Sequence, residues 1–504
     1  MNSFDTGDRK ISAPLGESEP SGSNFLSRLG RWWGRKGEAE AAAKAANGVA
    51  HADGEVPLAA RVARRQREQL RLCFDARLTD GAANAAAQAW QAEYEAAGEA
   101  ARRAMLELLA EVASSSGEKT ADAKGEGKGD AKGDAKGEAK GDAKGEAKPD
   151  GKGGHSGLTH ALSSARIRFF KRLAALHGQR GNSACGLHFL IQLRADMLRW
   201  QRGVPGLRVL DDDLEALFSN WFDVGLLELQ PITWDSPASL LEKLIRYEAV
   251  HEIASWTDLR NRLDSDRRCY AFFHPRIPRE PLIFVEVAFV PEMAANVQAL
   301  LDEAAPLEDL RRVKWAIFYS ISNTQAGLRG VSFGNFLLKR VIEELQREFP
   351  KLKQFATLSP LPGFADWLRK QHGDAIATIL GEKRLARWTE RHGTPPTDGA
   401  GWLAALPADA PDPVVRDTAL TLAAHYLVRE GAPGQPADPV ARFHLGNGAC
   451  VERLNWAADL SRKGRAQSCG MMVNYLYVPE ALDDNLARLG DGNPRMSRAV
   501  GKLL

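Results

Sequence analysis

Cysteine is scarce in this sequence of 504 residues, and its spacing fits neither a disulfide framework nor a zinc site. The five cysteines lie far apart, with no Cys-x-x-Cys pair: Cys73, Cys185, Cys269, Cys450 and Cys469. An odd count without paired spacing argues against a small secreted domain and against a structural zinc site. The histidines show no spacing typical of metal ligands. We therefore expect no bound metal and a reducing, cytoplasmic environment.

Long apolar runs and an excess of one charge are also missing. No apolar run reaches the ~18 residues that a membrane-spanning helix needs, and the N-terminal segment MNSFDTGDRKISAPLGESEP has no hydrophobic stretch typical of a secretory signal. The 67 basic and 65 acidic residues give a net charge of +2, whereas a dedicated nucleic-acid-binding domain usually carries a basic excess. We expect neither an integral membrane segment nor a nucleic-acid partner. Apolar residues make up 44% of the chain, which is enough for a globular core.

Composition changes along the chain predict three parts. Residues 1–54 are rich in Ser, Gly, Ala and charge and are predicted to be a disordered tail. Residues 55–208 are dominated by helix-forming residues and are predicted to be a helical domain. Within it, 114–157 is a low-complexity block whose centre repeats Ala-Lys-Gly-Asp/Glu, and this composition predicts a solvated linker. Residues 209–504 mix helical and strand-like segments and are predicted to be a second domain.

The second domain is predicted to be of the α+β class. Cys269–Phe273 and Leu282–Val290 are rich in aromatic and β-branched residues, and the segment between them predicts an antiparallel hairpin. The acidic residues Asp211–Asp213 predict the start of a helix. Only one clear strand-helix-strand unit follows the hairpin, which argues against a doubly wound parallel sheet.

The strand-helix-strand unit is Trp315–Phe364. Its first strand is the apolar run Ala316–Ile321, and its second is Phe355–Leu358, which ends at Ser359. A glycine-containing loop, 329–335, precedes the helix between them. The N-terminus of a helix presents free N–H groups and the positive end of the helix dipole, which favour an anion such as a pyrophosphate. Taken alone, however, the loop fits a plain strand-to-helix turn slightly better than an anion site.

Two residues are candidates for the chemistry. Ser359 ends the strand that lies beside the proposed anion site, so it is expected to face the same cleft, although a Ser-Pro pair is also common in turns. His444 is of the type that most often carries a proton near neutral pH, although a single histidine in an apolar segment is often a core residue. Three polar residues follow His444 in the sequence: Asn447, Arg453 and Asn455.

Longer segments resemble known families. The loop and helix are similar to the CoA-binding motif of the GNAT acyltransferase superfamily, Arg/Gln-x-x-Gly-x-Gly/Ala, with Ser332 where the middle glycine is usual. Blocks between residues 274 and 477 resemble the malonyl-CoA decarboxylase family more specifically. They read HPRIPREPLIFVEVA, FYSISNTQAGLRGV, GNFLLKRVIEELQREFP, LSPLPGF, PVARFHLGNGA, RLNWAADLS and SCGMMVNYLY.

The resemblance implies a helical oligomerisation domain, a GNAT-like catalytic domain and a homotetramer. It implies conversion of malonyl-CoA to acetyl-CoA and CO₂ through a thioester enolate, in fatty acid metabolism, with no cofactor beyond the CoA of the substrate. Ser359 would orient the malonyl group, and His444 would protonate the enolate. The implied CoA-binding segment consists of Arg329, Gly330, Val331, Ser332, Phe333, Gly334 and Asn335.

Two other functions are compatible with the same residues. One is a CoA-dependent N-acyltransferase, which would need a groove for an amine acceptor and would give no special role to Ser359 with His444. The other is a non-catalytic acyl-CoA-binding protein, a reading supported only by the departure at Ser332.

Overall fold

The computed structural model describes residues 60–75, 80–115, 153–176, 185–331 and 337–504. The predicted tail at 1–54 and most of the low-complexity block, 116–152, lie outside these ranges.

The first part of the described chain consists of helices. They are α1 (Ala60–Phe74), α2 (Asp80–Ala96), α3 (Glu99–Ser115), α4 (Gly153–Ala175), α5 (Gly186–Trp200) and α6 (Leu207–Trp221). We call α1–α6 the helical region. α3 and α4 both extend a few residues into the predicted linker, and α6 crosses the predicted domain boundary at 208.

Aromatic side chains form the centre of the helical region. The fully buried Trp90 ring lies 5.8 Å from the ring of Phe169 and 6.2 Å from that of Phe189, both in edge-to-face geometry. Such pairs stabilise a core beyond the area they bury. The hydroxyl of Tyr94 donates to Asp196 at 2.8 Å, so the polar end of this buried ring is also satisfied.

The acidic residues of α6 do not begin the helix, and that prediction was wrong. α6 begins at Leu207, after Gly206 in the left-handed conformation (φ 84°). Asp211 instead accepts a hydrogen bond from Arg194 at 2.7 Å, and Asp213 accepts one from Arg166. The carboxylates are therefore used to neutralise buried arginines of neighbouring helices rather than to cap free N–H groups.

An eight-stranded mixed sheet organises the rest of the chain. Its strands are β1 (Glu228–Ile232), β2 (Arg267–His274), β3 (Ile277–Val290), β4 (Trp315–Asn323), β5 (Gln354–Thr357), β6 (Ser359–Pro360), β9 (Cys450–Asn455) and β10 (Met472–Tyr477). The order is β1-β2-β3-β4-β5-β10-β6, and β9 pairs with β10. β4 and β5 are parallel, and the other pairs are antiparallel. A separate hairpin joins β7 (Gly431–Ala432) and β8 (Gln435–Pro436).

Helices cover and connect the strands. They are α7 (Ala238–Tyr247), α8 (Trp256–Arg262), α9 (Val297–Leu300), α10 (Leu337–Glu348), α11 (Phe364–Arg369), α12 (Gly373–His392), α13 (Gly399–Ala405), α14 (Pro413–Arg429), α15 (Pro439–Gly446), α16 (Arg462–Ser468), α17 (Leu482–Gly490) and α18 (Arg498–Gly501). Within the described ranges, no helix is long and apolar enough to cross a membrane.

The predicted α+β class and the β2–β3 hairpin are confirmed. The strand-helix-strand unit is also present, as β4, α10 and the parallel strand β5. The second strand was predicted to run to Leu358, but β5 ends at Thr357. After Leu358 the chain forms the separate short strand β6, which pairs with β10. Residues 281–289 of β3 are all buried, so the middle of the sheet is covered on both faces.

A buried ionic cluster stabilises the sheet beneath β3. The Arg262 guanidinium, only 2% exposed, donates to Asp258 at 2.7 Å and to Glu286 at 3.2 Å. It also donates to two main-chain carbonyls that follow α7, those of His251 and Glu252. Arg262 therefore connects β3, α8 and the segment between α7 and α8.

We expect Arg262→Met to lower the free energy of unfolding by about 3–5 kcal/mol, because Asp258 would remain buried without its cation and Glu286 would lose its hydrogen-bond donor. Urea denaturation of the purified protein measures this loss. Arg311→Met is the control, since Arg311 pairs with Asp309 at the surface and has an 89% exposed side chain. Equal unfolding midpoints for the two variants would contradict the prediction.

Candidate active site

A cavity of about 420 Å³ lies where strands β4 and β5 part. The two strands pair only from Trp315 to Phe318 of β4, and the Leu358 N–H then donates to the Phe318 carbonyl at 3.0 Å. Beyond this point β4 continues along β3, whereas β6 continues along β10. The divergence leaves a wedge-shaped opening in the sheet, and the cavity occupies it.

Ser359 lies at this divergence and lines the cavity, as predicted for the end of the strand. Its hydroxyl donates to Thr357 Oγ1 at 2.8 Å and lies 3.1 Å from His444 Nε2. Thr357 Oγ1 is held in turn by the Tyr475 N–H at 3.2 Å. The Ser359 side chain is therefore fixed from both sides and only 6% exposed.

His444 is brought to Ser359 by helix α15. The helix begins after Asp438, whose carboxylate accepts hydrogen bonds from the N–H groups of Val440 and Ala441 at 2.9 and 3.0 Å. The imidazole stacks on the Tyr475 ring, with centroids 4.5 Å apart, and its Nδ1 lies 2.8 Å from the Tyr477 hydroxyl. Two residues 85 positions apart in sequence thus form one hydrogen-bonded pair.

The electrostatics of the pair fix the positions of the protons. Burial lowers the pKa of His444 to about 3, so the imidazole is neutral at pH 7. Burial raises the pKa of Tyr477 well above its ordinary value, so this phenol keeps its proton. Because the Ser359 hydroxyl donates its hydrogen to Thr357, it accepts from His444, which assigns the ring proton to Nε2 and leaves Nδ1 to accept from the Tyr477 phenol. The result is one directed chain of hydrogen bonds, from Tyr477 through His444 and Ser359 to Thr357.

The same cavity extends to the turn before α10. Leu328, Gly330 and Val331 line it, together with Leu337 at the start of α10. Gly330 has φ 85°, a conformation that side-chain-bearing residues rarely adopt. The side chain of Arg329 is exposed at this turn. The remaining predicted binding residues lie outside the described residues: Ser332, Phe333, Gly334 and Asn335.

The three polar residues that follow His444 are placed differently. Asn447 lines the cavity, and its Oδ1 is buried without a hydrogen-bond partner in the described structure. Arg453 and Asn455 instead both donate to Asn474 Oδ1, at 3.0 and 2.8 Å. This second group supports β9, β10 and the loop before α9 and does not line the cavity.

Three residues of the site were not predicted from the sequence: Thr357 and Tyr477, which hold the ends of the hydrogen-bond chain, and Arg442, which is among the residues that line the cavity. A signal existed for the first two. Thr357 precedes Ser359 by two residues at the end of the predicted second strand, and Tyr475 and Tyr477 have the same spacing within β10, a spacing that places alternate residues on one face of a strand. No sequence pattern showed that these strands would meet. Among the described residues, no group of three or more His, Cys, Asp or Glu side chains is placed to hold a metal ion.

The profile of the malonyl-CoA decarboxylase C-terminal domain matches residues 225–504, and that of the N-terminal domain matches 143–222. The chain belongs to the malonyl-CoA decarboxylase family. This confirms the resemblance read from the sequence blocks. The chain is 39% identical over 366 residues to "Malonyl-CoA decarboxylase, mitochondrial" of Mus musculus, covering 69% of this chain and 72% of the relative.

Solved structures of malonyl-CoA decarboxylases are also similar. The structure from Cupriavidus metallidurans is 74% identical, covers 88% of this chain and 100% of its own, and superposes with a TM-score of 0.74. The structure from Rhodopseudomonas palustris is 37% identical, with coverages of 88% and 100% and a TM-score of 0.68. The helical region and the sheet domain are therefore both features of the decarboxylase family.

The buried neutral histidine predicts a loss of stability in mild acid. Between about pH 6.5 and pH 3 the unfolded chain binds a proton at His444 that the folded chain does not bind. Stability should therefore fall as the pH drops through this window, by up to about 1.4 kcal/mol per pH unit from this group. Urea unfolding at several pH values should give a shallower dependence for His444→Phe. Parallel curves for the variant and the unchanged protein would contradict the assigned burial.

Proposed function

We propose that this chain decarboxylates malonyl-CoA to acetyl-CoA and CO₂ in the cavity between β4 and β6. One observation carries the proposal: a single cavity contacts both the Ser359–His444 pair and the turn at Gly330. A CoA thioester has a phosphate-bearing end and a reactive acyl end, and the two sides of this cavity fit those ends. Membership of the malonyl-CoA decarboxylase family supports the choice of reaction.

The reaction requires orientation, charge stabilisation and a proton. The bond between the methylene carbon and the carboxylate breaks when it stands perpendicular to the plane of the thioester. Its electron pair then moves into the thioester carbonyl, CO₂ leaves, and an enolate remains. The methylene carbon must then take up one proton to give acetyl-CoA. The protein has to hold the carboxylate, stabilise the enolate oxygen and deliver that proton.

Ser359 is assigned to orient the malonyl group, and His444 to protonate the carbon. Both are buried and line the cavity, and His444 Nε2 already points to the Ser359 hydroxyl. No charged group contributes to the low pKa of His444, which burial alone produces. The carboxylate of the substrate would bring a negative charge near the ring and favour its protonated form. Substrate binding would thereby promote the transfer of a proton from solvent to His444. This is the proton that the reaction consumes.

The open edge of β4 supplies a hydrogen-bond donor for the enolate oxygen. The Thr324 N–H donates to the Leu282 carbonyl of β3 at 3.0 Å. N–H groups alternate along a strand, so that of Ile321 faces the other way, toward the wedge. Ile321 also lines the cavity. An oriented donor at a developing oxyanion typically contributes ~3 kcal/mol to the stability of the transition state.

The phosphate end of CoA is assigned to the segment 329–335 and the start of α10. Arg329 is exposed on the turn before α10, and Arg442 of α15 is among the residues that line the cavity. Guanidinium groups bind phosphate oxygens through paired hydrogen bonds. If the phosphate-bearing end of CoA is bound here, the thioester end would be free to reach Ser359.

The wider biological assignments remain proposals. We assign the helical region to oligomerisation, as a homotetramer, and the 209–504 domain to a GNAT-like catalytic role in fatty acid metabolism, both on the family resemblance. A cytoplasmic location is supported by the five free thiols. The mouse relative is described as mitochondrial.

We expect the purified protein to produce acetyl-CoA and CO₂ from malonyl-CoA without any acceptor, because the proposed reaction needs only the substrate and a proton. Chromatography of the CoA esters together with CO₂ detection measures both products. Release of free CoA together with an N-acylated product, only when an amine is added, would instead indicate an N-acyltransferase. Binding of malonyl-CoA without turnover would indicate a non-catalytic protein.

His444→Ala should lower kcat by roughly 10²–10⁴, the range typical of a lost general acid. Ser359→Ala should lower kcat by about 10², the effect of one lost hydrogen bond in the transition state. Steady-state kinetics measure both effects, while calorimetry should show unchanged CoA binding. His425→Ala is the control, because His425 is a half-buried histidine of α14 that does not line the cavity. Undiminished turnover in either active-site variant would remove that residue from the mechanism.

A further inference from the structure

Arg194 of helix α5 connects the helical region to the turn that lines the cavity. Its side chain is fully buried, at 0% exposure. One nitrogen, Nη1, donates to the main-chain carbonyls of Gly327 and Arg329, each at 2.8 Å. These two carbonyls bracket the turn that begins the proposed CoA-binding segment. A residue that does not itself line the cavity therefore helps to determine where the backbone of this turn lies.

The charge of Arg194 is balanced within the helical region. Its Nε donates to Asp211 at 2.7 Å, and its Nη2 donates to Glu215, both on α6. Arginine suits this role, because its planar guanidinium directs several N–H groups at fixed angles toward separate acceptors. Lysine carries the same charge but lacks that geometry, so it cannot bridge α6 and the turn in the same way.

The turn is also shaped to fit the helical region. A Cβ atom at Gly327 would lie 1.8 Å from the main-chain oxygen of Ile191, so the turn and α5 are in direct backbone contact. A Cβ atom at Gly330 would lie 3.4 Å from Glu215 Oε2. The opposite side of the same turn lines the cavity through Leu328, Gly330 and Val331. One short segment thus has the helical region on one side and the cavity on the other.

We propose that Arg194 is a positioning residue for CoA binding, through which the helical region sets the affinity of the catalytic domain for its substrate. The proposal rests on the assignment of CoA to this turn. Arg194 does not line the cavity, so it acts only through the backbone at Gly327 and Arg329. Loss of the Arg194 guanidinium should therefore weaken binding of the phosphate-bearing end of CoA and leave the Ser359–His444 pair intact.

The first test separates KM from kcat. Arg194→Lys should raise the KM for malonyl-CoA by roughly 5- to 150-fold, the range typical of coupling between sites, with kcat within about threefold of the unchanged protein. Arg166→Lys is the matched control. Arg166 is a buried arginine of α4 that donates to Asp213 on the same helix α6, and no hydrogen bond joins it to the turn in the described structure. The Arg166→Lys variant should have a lower melting temperature but an unchanged KM for malonyl-CoA.

Arg329→Ala serves as the positive control, because it removes a proposed direct contact and should also raise KM. An unchanged KM in Arg194→Lys, or an equal rise in Arg166→Lys, would overturn the proposal.

The second test uses the unchanged protein and so does not depend on a variant that folds. Addition of free CoA should slow amide hydrogen exchange in α5, because binding at the turn and the position of α5 are reciprocally coupled. Exchange in α7, which packs against β3 on the other face of the sheet, should change less. Equal exchange in α5 with and without CoA would overturn the proposal. Since CoA alone is the probe, this result is independent of whether malonyl-CoA is decarboxylated.

Discussion

The candidate active site depends on the short pairing between β4 and β5. These parallel strands stay together for only four residue pairs, and the hydrogen bond from Leu358 to Phe318 is the last before they separate. The separation is held open from the β10 side, where Asn474 donates to the Thr357 carbonyl at 2.7 Å and the Tyr475 N–H donates to its hydroxyl. If β5 continued to pair with β4 beyond Phe318, the backbones of the two strands would occupy this space and leave no cavity. The divergence instead exposes Ser359 and the edge of β4 to one cavity.

Burial keeps the Ser359–His444 pair and its hydrogen-bond partners uncharged. The hydrogen-bond chain from Tyr477 to Thr357 consists of neutral groups in the empty protein, because burial keeps the imidazole unprotonated and the phenol protonated. Each group has its partner, so the chain is rigid and costs little to bury. On the proposed mechanism, the charge of a bound carboxylate would favour the protonated form of His444.

The sequence predicted the elements of the site better than their contacts. The β4-α10-β5 unit could be predicted because period and motif are local properties of the chain, and the two predicted residues Ser359 and His444 lie together at one cavity. Thr357 and Tyr477 were missed because their roles arise only when β5, β10 and α15 meet, which no local pattern shows. Asp211–Asp213 was misread for a related reason. Acidic residues near a helix start usually cap it, but here buried arginines of other helices take the carboxylates.

The placement of Arg194 gives a physical reason for the two-part architecture. A glycine-containing turn is free to adopt the shape that CoA phosphates need, but that freedom carries an entropic cost when the ligand binds. Packing one side of the turn against α5, and fixing two of its carbonyls with a buried guanidinium, removes part of that cost in advance. On the proposed assignment of CoA to this turn, the helical region holds the binding turn in shape. Any change that moves α5 relative to the sheet would then alter substrate affinity before it altered the chemistry proposed for Ser359 and His444.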